Sequence, residues 1–371
     1  MHIMKMLLVS NMYPSDADPQ YATFVQNIKE ALAASACMKV ATAVIRGRSR
    51  HRFDKVYKYV CFFLETIKKA LHDKCDVIYV HYPSHAYVPL LLLGPWRRGR
   101  LAVHVHGSDI LREARVTRVY FALKRFVSSR ALKAADLIIV PSNYYRDVIT
   151  TVFKVPHERV FVYSSGGIDL KVFCKSAPML PEGPFRVGYV GRLERDKGIG
   201  TLVEALAILQ DTLPDLQAVI IGKGTMEQEL KRLVKDKGLV ERISFPGAMQ
   251  QAALVSFYNR MHVFIFPTER ETESLGLVGL EAMACGVPVI GAQIGGLRDY
   301  LKEGYNGFFF EPGSATDLAS KILQFYHLDG RTKSRLSEHA ITTAQMYDAS
   351  IENQRLMQKF EALAQDKAVY D

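Results

Sequence analysis

The sequence contains no apolar run long enough to cross a membrane. Its longest aliphatic run, residues 88–93, falls far short of the roughly 20 residues that a spanning helix needs. Cysteine is sparse and unpatterned: Cys37, Cys61, Cys75, Cys174 and Cys285 form no C-x-x-C pair and have no histidine at metal-ligand spacing. A disulfide framework is therefore not expected, and the thiols read as small buried apolar groups in a reducing compartment. Internal repeats and low-complexity tracts are absent. The opening residues 1–10 carry only a short apolar run, followed at once by Asn11, Tyr13, Pro14 and Asp16 with no small-residue cleavage site. They read as a buried first strand rather than a signal peptide.

What is present is an ordinary globular balance, 49% hydrophobic and 23% charged, over 371 residues, which suits two domains better than one core. The net charge of +10 is unevenly spread: residues 1–165 hold 25 Lys and Arg against 12 Asp and Glu, leaving 23 against 26 for the rest. One half is strongly basic and the other nearly neutral, which suggests two domains with different partners and an anionic surface near the first.

Short apolar runs alternate with amphipathic stretches. Strands are expected at 6–10, 39–45, 77–81, 101–106, 137–141 and 160–163, and a second set at 186–190, 218–222, 243–246, 263–267 and 287–290. Helical patterns lie between them, at 22–34, 199–209, 226–237 and 276–284 among others, and 337–365 reads as one further helix. Strand–helix alternation implies parallel sheets with right-handed crossovers, and two sets imply two doubly wound α/β domains. Ser164, Ser165, Gly166 and Gly167 mark the seam, and the Pro- and Gly-rich stretch 178–184 marks a second loop.

Chemistry concentrates in 264–290, which reads as a strand, an acidic loop, a short helix closed by Gly286 and another strand. The start of that helix, at Ser274, Leu275 and Gly276, offers free backbone N–H groups at a positive dipole end, a ready site for an anion. Glu273 and Glu281 would stand roughly 10–12 Å apart at 1.5 Å per residue. That is too wide for a glycosidase acid/base pair and suits two carboxylates gripping one extended ligand. A solvated acidic loop beside an ordinary amphipathic helix would share this pattern. At 189–198, a strand runs into Gly191, with Arg192 and Lys197 placed to neutralise a diphosphate. Gly222 ends a third strand; such turns are common. His104 and His106, two apart on one strand, could be read as metal ligands, but the spacing brings no carboxylate or further histidine into a supporting pattern.

Together, G-R-L-x-x-D-K-G at 191–198, I-G-x-G at 221–224, F-x-G at 245–247 and E-x7-E-A-M-A-C-G-x-P-V-I at 273–290 resemble the retaining glycosyltransferases of family 4. The earlier half resembles them too. It carries S-N-M-Y-P at 10–14 followed by Phe24 and Val25, H-G-S-D-I at 106–110, and Gly167, Ile168 and Asp169 with Phe173. The resemblance implies the α/β GT-B fold, with two Rossmann-like doubly wound domains facing across a deep interdomain cleft. The acceptor domain would be 1–165 and the nucleotide-sugar domain 166–349, with a C-terminal helix at about 350–371 packing back on the first.

By the same resemblance, Arg192 and Lys197 hold the donor diphosphate, Glu281 the ribose hydroxyls and Glu273 the transferred sugar. The backbone of Leu275, Gly276, Leu277 and Val278, beside Ser274, meets the distal phosphate. Gly191, Gly222 and Gly247 line the donor, with Gly247 over the base, and His106 lies near the sugar. His106, Glu273, Arg192 and Lys197 form the implied catalytic set, with no cofactor and no metal. In two places the sequence departs from the family. Tyr21 and Ala22 stand where many relatives have a glycine before Phe-Val, and Leu297, Arg298 and Asp299 follow Gly295 and Gly296 where a Pro-Glu pair is common.

Basic residues with aromatic neighbours mark the first half: Arg46, Arg48, Arg50, Arg52 and Lys55 beside Tyr57, and Arg97 and Arg98 beside Trp96. Cations next to an amphipathic aromatic helix fit an anionic membrane surface. A solvated basic helix is the plainer alternative, and no nucleic-acid-binding motif accompanies the charge. The expected function is transfer of a sugar from a UDP- or GDP-sugar to a glycan acceptor, lipid-linked, in bacterial surface polysaccharide synthesis (capsule, O-antigen or lipopolysaccharide). The protein would be cytoplasmic and peripheral on the inner membrane face. A nucleotide-sugar 2-epimerase of similar architecture and a basic nucleic-acid binder are the alternatives.

Overall fold

The computed structural model describes residues 3–18, 21–49, 51–113, 116–176 and 183–365. Expectations resting on Arg50, on residues 178–182 of the second loop and on 366–371 lie outside the described residues. The chain divides into two compact units, Met1–Gly166 with Ser350–Asp371, and Gly167–Ala349.

The first unit runs β1 (Met4–Tyr13), α1 (Thr23–Ala33), β2 (Met38–Arg46), α2 (Arg52–His72), β3 (Val77–His81), α3 (Pro83–Ala86), α4 (Val88–Leu93), β4 (Arg100–His104), α5 (Arg118–Ala134), β5 (Leu137–Val140), α6 (Asn143–Val152) and β6 (Val160–Val162). Its six strands are parallel, in the order β2-β1-β3-β4-β5-β6. The central strands β3, β4 and β5 are apolar because both faces are covered. Phe62, Leu90, Val127 and Ile149, from α2, α4, α5 and α6, cover one face, and Val25 and Ile28 of α1 the other.

The second unit runs β7 (Arg186–Val190), α7 (Ile199–Leu209), β8 (Gln217–Ile221), α8 (Glu227–Asp236), β9 (Ile243–Gly247), α9 (Gln251–Tyr258), β10 (Val263–Phe266), α10 (Leu277–Ala284), β11 (Val289–Ala292), β12 (Gly307–Phe310), α11 (Ala315–Tyr326) and α12 (Gly330–Gln345). Its order is β12-β11-β10-β7-β8-β9, again parallel. The last helix, α13 (Ala349–Gln365), sends Leu356, Phe360 and Leu363 into the core of the first unit.

Four differences from the expected elements have physical causes. Strand β12 is additional: three consecutive phenylalanines show no alternation to mark a strand. Strand β11 begins two residues late because Val287 still belongs to the cap of α10, donating its N–H to Ala282. Strand β4 stops at His104, since the His106 N–H turns to the Asp109 carboxylate. The single helix expected at 337–365 is two. Between them Tyr347 accepts from the Ile168 N–H, and Ala349 donates back to Ile168, which pulls the chain into an extended bridge.

Candidate functional site

In the second unit the loops following β7, β8 and β9 are laced side by side. Gly191 donates its N–H to Ile221 and Gly222 donates to Gly247, both at 3.0 Å. A Cβ on Gly222 would lie 1.8 Å from the Gly191 carbonyl oxygen, so a side chain there would part the two loops. Beyond Gly191, Arg192 is exposed, and its carbonyl accepts from the Tyr189 hydroxyl at 2.9 Å. Lys197 closes a short 3-10 turn, and Gly198 follows at φ 65°.

Lys197 meets Glu273. The Lys197 Nζ lies 2.6 Å from Glu273 Oε2, with side chains 14% and 10% exposed. The Thr268 hydroxyl donates to the same oxygen at 3.1 Å. Burial pushes the Glu273 carboxyl up, but the charge and hydrogen bond of Lys197, the nearby Arg270 charge and the Thr268 hydroxyl outweigh it. The result lies below the usual carboxylate range. Arg270 is held over this corner by Thr272, to which its Nε donates at 2.7 Å. A charged pair sequestered in this way is costly to leave half-made.

Helix α10 starts beside this pair. Gly276 is its N-cap at φ 83°, and a Cβ there would stand 2.7 Å from the Phe266 ring. Only glycine allows both the turn and the close approach. The first N–H groups of the helix have no partner within it and sit at its positive end. Gly296 supports the loop from behind, donating to the Glu273 carbonyl at 3.2 Å. Inside the helix, Glu281 is 5% exposed and accepts from the buried Tyr258 hydroxyl at 3.0 Å. Burial raises its carboxyl to about 7, against a smaller opposing effect of the Tyr258 hydrogen bond.

In the first unit His106 follows β4. Its ring stacks on Tyr82 at 4.3 Å and lies 5.0 Å from Phe24. Its Nε2 lies 3.1 Å from His81 Nδ1. Burial pulls the His106 imidazole down to about 3, so it is neutral at physiological pH. Asp109, fully buried and accepting the His106 N–H, is pushed up by burial to about 6.

The sequence pattern of the family described as Glycosyltransferase Family 4 matches residues 20–172, and that described as Glycosyl transferases group 1 matches 175–343. The chain belongs to glycosyltransferase family 4. Among its relatives are sulfoquinovosyl transferase SQD2 of Arabidopsis thaliana, 31% identical over 58% of this chain and 42% of that protein, and the capsular polysaccharide biosynthesis glycosyltransferase CapM of Staphylococcus aureus, 30% identical over 55% of each. The matches thus span about half the length of these curated relatives. A D-inositol 3-phosphate glycosyltransferase of Paenarthrobacter aurescens is 29% identical over 75% of this chain and 70% of its own. The fold is shared with the sucrose-phosphate synthase of Thermosynechococcus elongatus (TM-score 0.79, 21% identity, 97% and 99% of the two chains). It is shared also with Anabaena HepE in complex with UDP (TM-score 0.76, 21% identity, 97% and 100%). The fold is therefore GT-B, with a doubly wound sheet in each unit.

Within this family member the structure brings together Lys197, Glu273, Ser274, Leu275, Gly276, Leu277 and Val278. Gly191, Gly222 and Gly247 form the adjacent row, and Glu281 lies within α10, paired with Tyr258. Reading the sequence alone missed Tyr258, Thr268 and Arg270. None sits in a recognisable motif, and only the tertiary fold brings Tyr258 to Glu281. It also missed His81. The expectation that no further histidine supports His104 and His106 is corrected: β3 pairs with β4 so that His81 lies opposite His104. Nitrogens of the three rings lie within 4.8 Å of one another. His104 Nδ1 is taken by the Tyr79 hydroxyl at 2.7 Å.

The basic residues of the first unit do not form one patch. The Arg46 guanidinium lies over the Tyr13 ring, and that of Arg48 over Tyr21 with Asp18 at 3.4 Å. Arg97 donates to the Gly99 and Ala134 carbonyls. The Arg98 N–H reaches Ala70, near the C-terminal end of α2, whereas Lys58 near its start holds the Arg46 and Arg48 carbonyls. Residues 46–49 and 52–55 therefore mark one end of α2 and residues 96–98 the other, and Arg52, Lys55, Tyr57, Trp96 and Arg98 are exposed.

Proposed function

We propose that the protein transfers a sugar, with retention, from a UDP- or GDP-sugar to a lipid-linked glycan acceptor in bacterial surface polysaccharide assembly, at the inner face of the cytoplasmic membrane. The observation that carries the donor half is the buried Lys197–Glu273 pair beside the glycine-capped start of α10. An arriving diphosphate gives Lys197 a second anionic partner, the α10 amides take its distal phosphate, and Glu273 is left to accept hydroxyls of the sugar. Arg192, exposed at the tip of its loop, adds a planar fork for the leaving diphosphate.

Front-face attack suits this arrangement. The departing diphosphate oxygen accepts the acceptor's proton while Arg192, Lys197 and the helix start stabilise its charge. Glu273, tied to Lys197 and Thr268, is a positioning carboxylate in this scheme and not a nucleophile. His106, neutral, serves as a hydrogen-bonding residue toward the sugar. The reading invokes no metal. The relationship to CapM favours a capsule-like product, and the basic first half favours an acceptor carried on lipid.

Incubation with a panel of nucleotide sugars should release UDP or GDP slowly from one of them, at a rate unchanged by EDTA. Release from none would overturn the donor assignment, and loss of activity on chelation would redirect attention to His81, His104 and His106.

A further inference from the structure

Two strand ends of the first unit bring three histidines together where the reaction has so far used one. Side chains alternate along a strand, so Tyr79 and His81 share one face of β3, and the register sets His104 of β4 opposite His81. Beyond β4 the His106 ring lies 4.3 Å from that of His104 and 5.3 Å from that of His81. His81 and His104 are buried, and of the three only His106 keeps some exposure. Burial pulls all three imidazoles well below their ordinary range. Each is therefore neutral, with one N–H and one bare nitrogen.

Which nitrogen of His106 carries its proton follows from His81. The His81 Nδ1 lies 3.1 Å from His106 Nε2, and the two ring planes are 21° from parallel. Their centroid separation is close to that distance plus two ring radii, so the rings meet edge to edge with one proton between them. On its far side His81 Nε2 is buried and has no hydrogen-bond partner among the described residues. Buried N–H groups without an acceptor are rarer in folded proteins than acceptors without a donor. The His81 proton therefore sits on Nδ1 and is donated to His106 Nε2. That leaves the His106 proton on Nδ1, the nitrogen that His81 leaves open.

The same segment also holds the ring by its face. Tyr82 follows His81 and stacks on His106 at 4.3 Å, from a backbone at φ 56° and ψ 68°. A left-handed tyrosine is strained, and such strain marks a ring held for its position. The Asp109 carboxylate fixes the His106 backbone N–H at 3.1 Å. A cation shared by the three rings is the less suitable occupant. His104 and His106 are only 25° from parallel, so their in-plane lone pairs run alongside one another instead of converging.

We propose that His81 is a positioning residue of the transfer reaction, holding His106 in the Nδ1-protonated tautomer so that His106 meets the sugar as a hydrogen-bond donor. This deepens the role given to His106 above and rests on that reading. A donor fixed before the substrate arrives needs no reorganisation when the sugar oxygen reaches it.

The test is long-range proton–nitrogen NMR of the full chain labelled with 15N-histidine, in which protonated and bare ring nitrogens differ widely in shift. Loss of one pair of signals in His106→Gln assigns His106. Wild type should show His106 protonated at Nδ1 and bare at Nε2. His81→Phe keeps a ring without a donor and should release His106 to both tautomers, drawing its two nitrogen shifts together. His81→Asn, whose amide N–H stands near the place of Nδ1, should restore the Nδ1 form. His81→Phe should lower kcat/KM for the nucleotide sugar about tenfold, with His81→Asn recovering most of it. Affinity for the free nucleotide, UDP or GDP, should stay unchanged. A merely structural role for His81 would weaken both ligands alike. Protonation of His106 at Nε2 in wild type, or an unchanged His106 tautomer in His81→Phe, would overturn the proposal. Should His81→Phe fail to fold, the wild-type spectrum and His81→Asn still decide. Failure of wild type to release nucleotide from any sugar would sink the donor reading, whereas the spectrum reads the tautomer without substrate.

Discussion

A carboxyl inside α10, shielded from water and met by the Tyr258 hydroxyl, ionises at about pH 7 instead of near 4.5. Its folded value is raised, so between those limits the native state binds more protons than the unfolded chain, and stability falls as pH rises through the window. Glu281→Gln removes that fall. Urea titrations should show wild type losing stability relative to the variant from pH 4.5 to 7, by up to about 3 kcal/mol. If ionised Glu281 receives the ribose hydroxyls, UDP should bind about tenfold more weakly at pH 6 than at pH 8 relative to the variant, whose own slope reports the titration of the UDP phosphate. A parallel slope in both proteins would remove Glu281 from the ribose. Lys197 and Glu273 make a second residue-scale case. Lys197→Met or Glu273→Gln alone strands a charge or a polar group, at a cost of about 3 kcal/mol, whereas the double variant should recover much of it. Additive losses in a denaturant cycle would mean that the pair is not coupled.

At the scale of elements, the start of α1 is strained. Ala22, its N-cap, is left-handed at φ 54° and ψ 38°, a conformation that favours glycine. That conformation costs an alanine about 1 kcal/mol, so Ala22→Gly should stabilise the protein by roughly 0.5–1 kcal/mol, read as a rise in the denaturation midpoint. The turn into α1 is thus held at a cost in backbone strain, and it places Phe24 beside His106. The helix and strand order was legible because buried parallel strands read as continuous apolar runs, and 77–81 and 186–190 were located to the residue. What escaped depends on partners distant in sequence. Phe308, Phe309 and Phe310 become a strand only beside β11, and 346–348 break a helical pattern only because Ile168 binds there. The site divides likewise. Glu273, Lys197 and Gly276 are marked by motif, whereas Tyr258, Thr268 and His81 are brought in by tertiary packing and strand register.

At the scale of the whole molecule the chain leaves its first unit at Gly166 and returns to it at Ser350, so the second unit is continuous and the first is not. The returning segment is built into its core. Leu356 and Phe360 are fully buried, and Phe360 sits against Tyr79 at 4.9 Å. Glu352, 1% exposed, accepts the Ser164 N–H at 2.7 Å, and Tyr163 donates to Asn353 at 2.7 Å. Removing α13 would therefore open an apolar trough over β1 and β3 and strand a buried amide. Phe360→Ala alone should cost about 3–5 kcal/mol. Expressed separately, residues 167–349 should fold and gain a thermal shift from UDP or GDP, whichever stabilises the full chain, because Lys197, Glu273, Gly276 and Glu281 all lie within them. Residues 1–166 should remain poorly folded until a peptide spanning 350–365 is supplied, and circular dichroism during that titration measures the rescue. A cooperative, stable 1–166 fragment would mean that the burial of α13 contributes little. Failure of 167–349 to respond to either UDP or GDP, despite native dichroism and a response of the full chain to one of them, would place the determinants of donor binding outside the second unit, against the assignment of all four residues to it.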